Sequence, residues 1–518
     1  MGKFPDFKFR RKEYMSVKKI FAAAAAAVLA AAAPITGMLP DPLSVTVSAA
    51  EYKEGDIFTA ELDKNGNLTG EYGAYETPTS YTLRYVCTVK PDGTLKLGFE
   101  FRVKKEDIDY DPDKTYLFAA FFGKTIAIPS EINGYTVTEI GECAYLGCTK
   151  LIIPDSVTDI GEGAFADDPF LEEIVFDKNS QLKYIGKWSF EECRSLRTLN
   201  IPASVETIDY GAFLNVDEDY GKGTFINAEL EEVEYDFSDK YSLTTVTFAE
   251  GSKLKELGEA AFQNQKALTF INLPDSLEKI EYGAFMGCTS LTEIVIPSNV
   301  NEIGIVAFSA APNEGKMSLS RIEVAADNES FKSVDGILFS KDGKKIIAYP
   351  PARSEDKYEI PAGVCEMDDG TFQFGSFMSV TVPEGITDIP DNAFSYCTAL
   401  KEVKLPSTLK TIGKWGFEAC AFTSIDIPES VTSIDPQAFE SSQLKNINGA
   451  AGSYAETFAK ENGYSFNGIS GESSADSSDT SGETDKGSPD TGVADVAPIV
   501  GIALLAGAAL VVLCKKRK

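Results

Sequence analysis

Apolar and polar positions repeat along the middle of the chain with a period close to 23 residues. In Leu273–Phe308 the pattern is written twice, with Pro274 and Pro297 23 apart and Phe285 and Phe308 23 apart. Its consensus is L-x-x-I-x-I-P-x-x-V-x-x-I-G-x-x-A-F-x-x-C. Ile294 and Ile296 alternate with polar neighbours ahead of the proline, which predicts a short strand with one inward face. Proline has no N–H for a ladder, so it belongs at the strand end or a corner. A fixed period of this size predicts a β-rich repeat solenoid, because one coil cannot bury its apolar residues alone. The expected core is a stack of like Ile, Val, Ala and Phe side chains from successive coils.

The repeats run from 126 to 447. The aromatic position recurs at Tyr145, Phe165, Phe190, Phe213, Phe262, Phe285, Phe308, Phe372, Phe394, Phe417 and Phe439. The corner recurs at Pro129, Pro154, Pro202, Pro274, Pro297, Pro361, Pro383, Pro406 and Pro428. This spacing, with the AF-x-x-C centre of each coil, resembles the BspA-type leucine-rich repeat family of bacterial surface proteins. The resemblance covers roughly 320 residues. It implies a right-handed leucine-rich solenoid with surface or host-contact roles, and leaves the ligand open because that varies among members.

Two steps break the period. Between Phe213 and Phe262 the gap is 49 residues. The extra segment 215–242 holds nine acids, among them Asp217, Asp219, Glu231 and Glu232, against two lysines, and also Tyr220 and Tyr235. It reads as a degenerate coil or solvated flap, or as a binding insert whose acids and aromatics hold a basic partner or a cation. The second break, 327–360, alternates apolar residues around Lys341-Asp342-Gly343 and predicts a β-hairpin insert.

Ahead of the repeats, 51–125 lacks the period. Alternation over Tyr81–Val89 and Thr94–Val103, separated by Pro91-Asp92-Gly93, predicts a hairpin in a β cap that covers the open edge of the first coil. Asp63 to Asn67 looks superficially like a calcium loop. Its sixth and twelfth positions hold Leu68 and Ala74, so an Asn-Gly turn fits better. After Ile447, the spacing of Tyr454, Ala455, Phe458 and Ala459 predicts a helix in a C-terminal cap over 448–469.

The two ends carry addresses. Seven Lys/Arg lead into or precede the apolar run Ile20–Ala33, followed by Val47-Ser48-Ala49-Ala50. That order describes a signal peptide over 1–50 with cleavage after Ala49-Ala50, with Met1 or Met15 as the start. Residues 470–487 are Ser, Gly and acids, a composition for a disordered spacer. Ser488-Pro489-Asp490-Thr491-Gly492 then precedes the apolar run Val496–Leu513 and a tail of four Lys/Arg. Eighteen residues rising about 1.5 Å each nearly span a hydrocarbon core. The basic tail should stay cytoplasmic. Motif, span and tail together resemble a Gram-positive cell-wall sorting signal. The resemblance implies a sortase cutting between Thr491 and Gly492 and joining the chain to the cell wall. Ser488 replaces the commoner Leu, which leaves the sortase class open, and a simple membrane anchor as the other reading.

Composition narrows the chemistry. The 518 residues contain no histidine, which removes Ser-His-Asp and Cys-His catalysis and every His-ligated metal site. Cys148, Cys193, Cys288, Cys397 and Cys420 each stand three residues after the repeat aromatic, the register of a small buried hydrophobe and not of a disulfide scaffold. No cofactor is expected. Without residues 1–50 and 492–518 the chain keeps 37 basic and 75 acidic residues, a net of −38, so nucleic acid is not an expected partner.

The exposed column formed by Glu173, Thr198, Thr245, Glu293, Glu402 and Ser424 contains carboxylates and hydroxyls with no base among them. It is either a binding face for a glycan or basic protein, or an ordinary solvated sheet. The functional expectation is a non-enzymatic surface protein that binds host proteins, other cells or glycans. The alternative is a carbohydrate-active enzyme using paired carboxylates such as Glu172-Glu173, Glu191-Glu192 or Asp368-Asp369.

Overall fold

The computed structural model describes residues 52–469 apart from 63, 65–66, 75–81, 103–115, 142–145, 216–221, 237–242 and 311–316. The signal segment with Ala49 and Ala50, the spacer, the sorting motif Ser488 to Gly492 and the apolar run after it lie outside the described residues. So do Tyr145, Asp217, Asp219 and Tyr220. No helix among the described residues is long and apolar enough to cross a membrane.

The chain winds as a β-solenoid of about 14 turns. Each coil contributes two short strands joined by the proline corner; the strands after the corner pair in parallel over long runs of coils, whereas the strands before it pair in short sets, with breaks such as that between Glu173–Phe176 and Thr198–Ile201. One sheet runs through Asp159–Ile160, Tyr184–Ile185, Thr207–Ile208, Glu256–Leu257, Lys279–Ile280 and Glu302–Ile303. The antiparallel strands Ile57–Leu62, Leu68–Ala74, Thr82–Val89 and Leu95–Arg102 extend the same sheet. Leu95–Arg102 joins Tyr135–Ile140 in parallel, so the first coil has no open edge on this side. At the other end the helix Tyr454–Asn462 buries Ala455, Phe458 and Ala459, and Ser465–Gly468 adds a last parallel strand to Asn446–Gly449.

The core is a ladder of aromatic rings. Phe165, Phe190, Phe213, Phe262, Phe285 and Phe308 stack face over face at 5.2 to 6.0 Å, tilted by at most 16°. A second ladder, Phe372, Phe394, Phe417 and Phe439, stacks at 4.9 to 5.8 Å. Between them the strands Phe331–Val334, Ile337–Ser340 and Lys345–Ala348 fold antiparallel around the Lys341–Lys344 turn, where Asp342 accepts from Ser340 Oγ at 2.7 Å and Lys344 N–H at 3.0 Å. This insert divides the apolar core into two clusters.

Around each ring the backbone takes a form that the sequence does not announce. The residues two before and two after the Phe are left-handed in nearly every coil, for example Gly163 and Asp167, Trp188 and Glu192, Ala260 and Asn264, with φ from 52° to 62°. Even β-branched Val306 is held at φ 52°. Alternating hand turns every second peptide the same way. Hence the N–H groups of Trp188, Phe190 and Glu192 all point forward, to Tyr210, Ala212 and Leu214 carbonyls at 2.8 to 3.0 Å. The pattern recurs coil after coil, and these bonds offset the strain at non-glycine positions.

Cysteine adds one more bond per coil. The Sγ–H of Cys193, Cys288, Cys397 and Cys420 donates to the carbonyl of the preceding coil's Phe at 3.1 to 3.4 Å. Gln265 makes the equivalent bond to Phe213. The register residue is therefore a donor as well as an apolar filler. None of the seven described cysteines is in a disulfide, and burial pushes the Cys288 and Cys397 thiols up to about 12.

The motif glycine has a steric cause. A Cβ on Gly258 would lie 2.6 Å from the Asp209 carbonyl carbon and 2.8 Å from the Tyr210 nitrogen, backbone atoms of the preceding coil. Gly258→Ala is expected to cost about 1–3 kcal/mol by forcing the two coils apart, read as a lowered urea midpoint.

Candidate functional site

The inward residues of each strand are spent on the core, so chemistry can only be offered by the outward ones. On the sheet that follows the repeat leucine, the register places Lys150 beside Glu173, Thr198 beside Thr245, Thr245 beside Phe270, Glu293 beside Arg321, and Ser379 between Lys357 and Glu402. The column expected to lack bases therefore contains Lys150, Arg321 and Lys357. They escape the consensus because their coils diverge just before the strand. Lys150 Nζ bonds Glu173 at 2.8 Å, and Arg321 pairs with Glu323. Glu173, Thr198, Glu293 and Glu402 are exposed and Thr245 is half-buried. Between them Phe270, 53% exposed, and Val295, 50% exposed, put apolar surface on the same side. The face is a mixed one, with charge of both signs and two exposed apolar side chains.

The acidic insert is neither an extra coil nor a free flap. Phe213 stacks directly on Phe262 at 5.3 Å, and Thr198–Ile201 pairs with Thr245–Phe248 in unbroken register, so the insert is looped out of the stack. Its strands Lys222–Ile226 and Glu232–Asp236 form an antiparallel hairpin. Lys222–Ile226 also pairs in parallel with Tyr116–Phe118, ahead of the first coils. Phe225 is fully buried there, 4.6 Å from the Phe170 ring and 4.5 Å from Phe122. Tyr235 lies edge-on to Phe170 at 6.3 Å. Lys124 Nζ holds Glu229 at 3.0 Å, lowering that carboxyl's pKa. Of the expected insert residues, Tyr235 is part of this packing, whereas Glu231 and Glu232 stay at the surface; Glu231 caps Asn227 through its backbone N–H and its Oε2. Replacing the buried anchor, Phe225→Ala, is expected to release the hairpin and open it to limited proteolysis, with the ring ladder and its thermal transition retained.

The adjacent acids do not form matched pairs. Glu172 and Glu173 are both exposed. Glu192 is buried and its Oε2 takes the Arg194 Nε proton at 2.6 Å, while Asp368 is paired with Lys345 at 2.6 Å. Asp369 is raised by burial, with the Asp391 charge adding to it. No group of three or more Cys, Asp or Glu among the described residues is placed to hold a metal ion.

One buried carboxyl was not picked out in the sequence. Asp168 takes the register place that cysteine fills in other coils and is 1% exposed. It accepts from Gly147 N–H at 3.1 Å and Phe170 N–H at 3.2 Å, yet desolvation outweighs these bonds and pushes its pKa up to about 7. Its position three after Phe165 was the available signal.

The family description "BspA type leucine rich repeat region" matches residues 115–220, 222–337 and 366–469. Among solved structures, a leucine-rich cell surface protein from Faecalibacterium prausnitzii is 25% identical, with a TM-score of 0.52, covering 77% of this chain and 96% of its own. The pneumococcal vaccine antigen PcpA is 20% identical with a TM-score of 0.48, over 75% of this chain and 97% of its own. A leucine-rich repeat protein from Bacteroides ovatus is 21% identical with a TM-score of 0.40, over 76% and 100%. No curated protein matches the chain significantly.

Proposed function

Because the chain belongs to the BspA-type leucine-rich repeat family of bacterial surface proteins, we propose that it is a non-enzymatic binding protein displayed outside the cell. The observation that supports this reading is the rigid outward sheet face. Glu173, Thr198, Thr245 and Glu293 ride on the first ring ladder and Glu402 on the second, with Lys150, Arg321, Lys357 and Phe270 beside them in the same register. Exposed Phe270 and Arg321 are of the residue types enriched at contact surfaces. Its partner is a host protein, another cell's surface or a glycan. Tethering follows from the C-terminal sequence. A sortase cleaves between Thr491 and Gly492 and leaves the solenoid on the cell wall, with the basic tail as the cytoplasmic stop before processing.

Two measurements test this. The purified chain, incubated with matrix proteins and a polysaccharide panel, should be retained without releasing products; bond cleavage would defeat the non-enzymatic reading. In cells, Thr491→Ala should move the protein from the wall fraction to the membrane fraction, and unchanged wall attachment would defeat the sorting assignment.

A further inference from the structure

Corner lengths differ between coils, and the difference cuts a slot. From Phe176 to Tyr184 and from Phe248 to Glu256 the corner takes seven residues, whereas from Ile201 to Thr207 it takes five. The short corner at Pro202 is thus recessed between two longer neighbours. The result is a groove of about 660 Å³, floored by Pro202, Ala203 and Ser204. Rungs lie about 4.8 Å apart, so the two walls stand roughly 10 Å apart centre to centre and admit one polymer strand. The volume is in the range of built ligand sites.

We propose that this groove binds a single strand of a neutral linear oligosaccharide; the inference rests on the binding function proposed above and gives it a place and a ligand class. One wall carries Asp177, Lys178, Asn179 and Gln181, the other Glu250 and Lys253. Each wall has one carboxylate and one ammonium, and Lys178, Lys253 and Glu250 have no ion pair among the described residues. The groove is balanced in charge, so a polyanion meets no net attraction there and a net charge of −31 elsewhere. Amide and hydroxyl side chains supply donors and acceptors together, as sugar hydroxyls require. Asn200 Oδ1 takes Thr247 Oγ1–H at 3.1 Å, leaving its amide nitrogen for a ligand. Half-buried Phe176 and Pro202 give an apolar surface for a sugar ring face.

An extended peptide is the weaker occupant, because it needs a free strand edge or apolar pockets. Here the Lys253 N–H is already bonded to Ala203 O at 2.9 Å and the Gln181 N–H to Asp155 O at 3.2 Å.

The test uses the full chain with cello-, malto-, xylo- and mannohexaose, hyaluronan as a charged control and a pool of random decapeptides. At least one neutral hexaose should bind and hyaluronan should not. Ala203→Trp, which fills the slot, should weaken that binding at least tenfold. So should the milder pair Asn179→Ala and Asn200→Ala, with the thermal transition unchanged. Undiminished binding by both variants, or peptide binding in place of sugar, overturns the groove assignment. If the chain is retained on a matrix protein or polysaccharide and both variants are retained equally, the groove falls and the proposed function stands. If nothing is retained, both fall.

Discussion

Phe262→Ala should lower the stability of the first ladder by about 3–5 kcal/mol, the usual cost of emptying a buried aromatic site. Phe262 is fully buried between Phe213 at 5.3 Å and Phe285 at 5.8 Å. Neither neighbour can close the gap, because its own coil is pinned by hydrogen bonds on both sides. Phe308→Ala should cost less, since Phe308 ends its ladder and stacks on Phe285 alone. In a repeat protein stability is carried by nearest-neighbour contacts, so the loss should appear as a separate, earlier unfolding step. Urea unfolding followed by tyrosine fluorescence checks the order. Equal costs at the two positions would mean that ring stacking is incidental to the fold.

The second large effect is on pH. An Asp whose folded-state pKa is raised from 3.8 to about 7 keeps its proton in the fold after the unfolded chain has lost it. The folded state then binds more protons, so stability falls as pH rises from about 4 to about 7, by up to roughly 4 kcal/mol. Asp168→Asn cannot titrate; Gly147 N–H and Phe170 N–H reach different carboxyl oxygens, so its one carbonyl oxygen keeps one of these bonds and the amide N–H₂ faces the other donor. The variant should be more stable than the parent at pH 8 by about 1–3 kcal/mol, after allowing for the new amide N–H₂. It should lose that advantage at pH 4.5. The difference between the two proteins' melting temperatures at the two pH values isolates this group from the many surface acids.

Much of the architecture was legible because the period is physical. A stack needs the same side chain at the same place in every coil, so Phe285 and Phe308 at 23 residues predict rings that meet, and they do at 6.0 Å. The left-handed positions were not legible. Gly163, Gly211 and Gly283 hint at them, but Trp188, Ala260, Val306 and Trp415 fill the same place, held by bonds between coils that no single coil reveals. The docking of the 215–242 insert was hidden for a similar reason. Phe225 looks like any loop aromatic until Phe122 and Phe170, more than fifty residues earlier, are folded beside it. The bases of the exposed column were missed because Lys150, Arg321 and Lys357 sit in coils whose leucine or spacing departs from the consensus, whereas strand register takes no account of consensus.

The strip of alternating left- and right-handed residues also gives the solenoid an electrical direction. Three peptide units per coil lie parallel to the long axis, carbonyls toward the N-terminal coils and N–H groups toward the C-terminal ones. Ordinary strands cancel such moments by alternation; here they add, as along a helix. One end of the stack is therefore a row of acceptors and the other a matching row of donors. Two bare stacks would present complementary ends to one another, and at the C-terminal end the helix Tyr454–Asn462 lies over the last ring, Phe458 tilted against Phe439 at 6.1 Å.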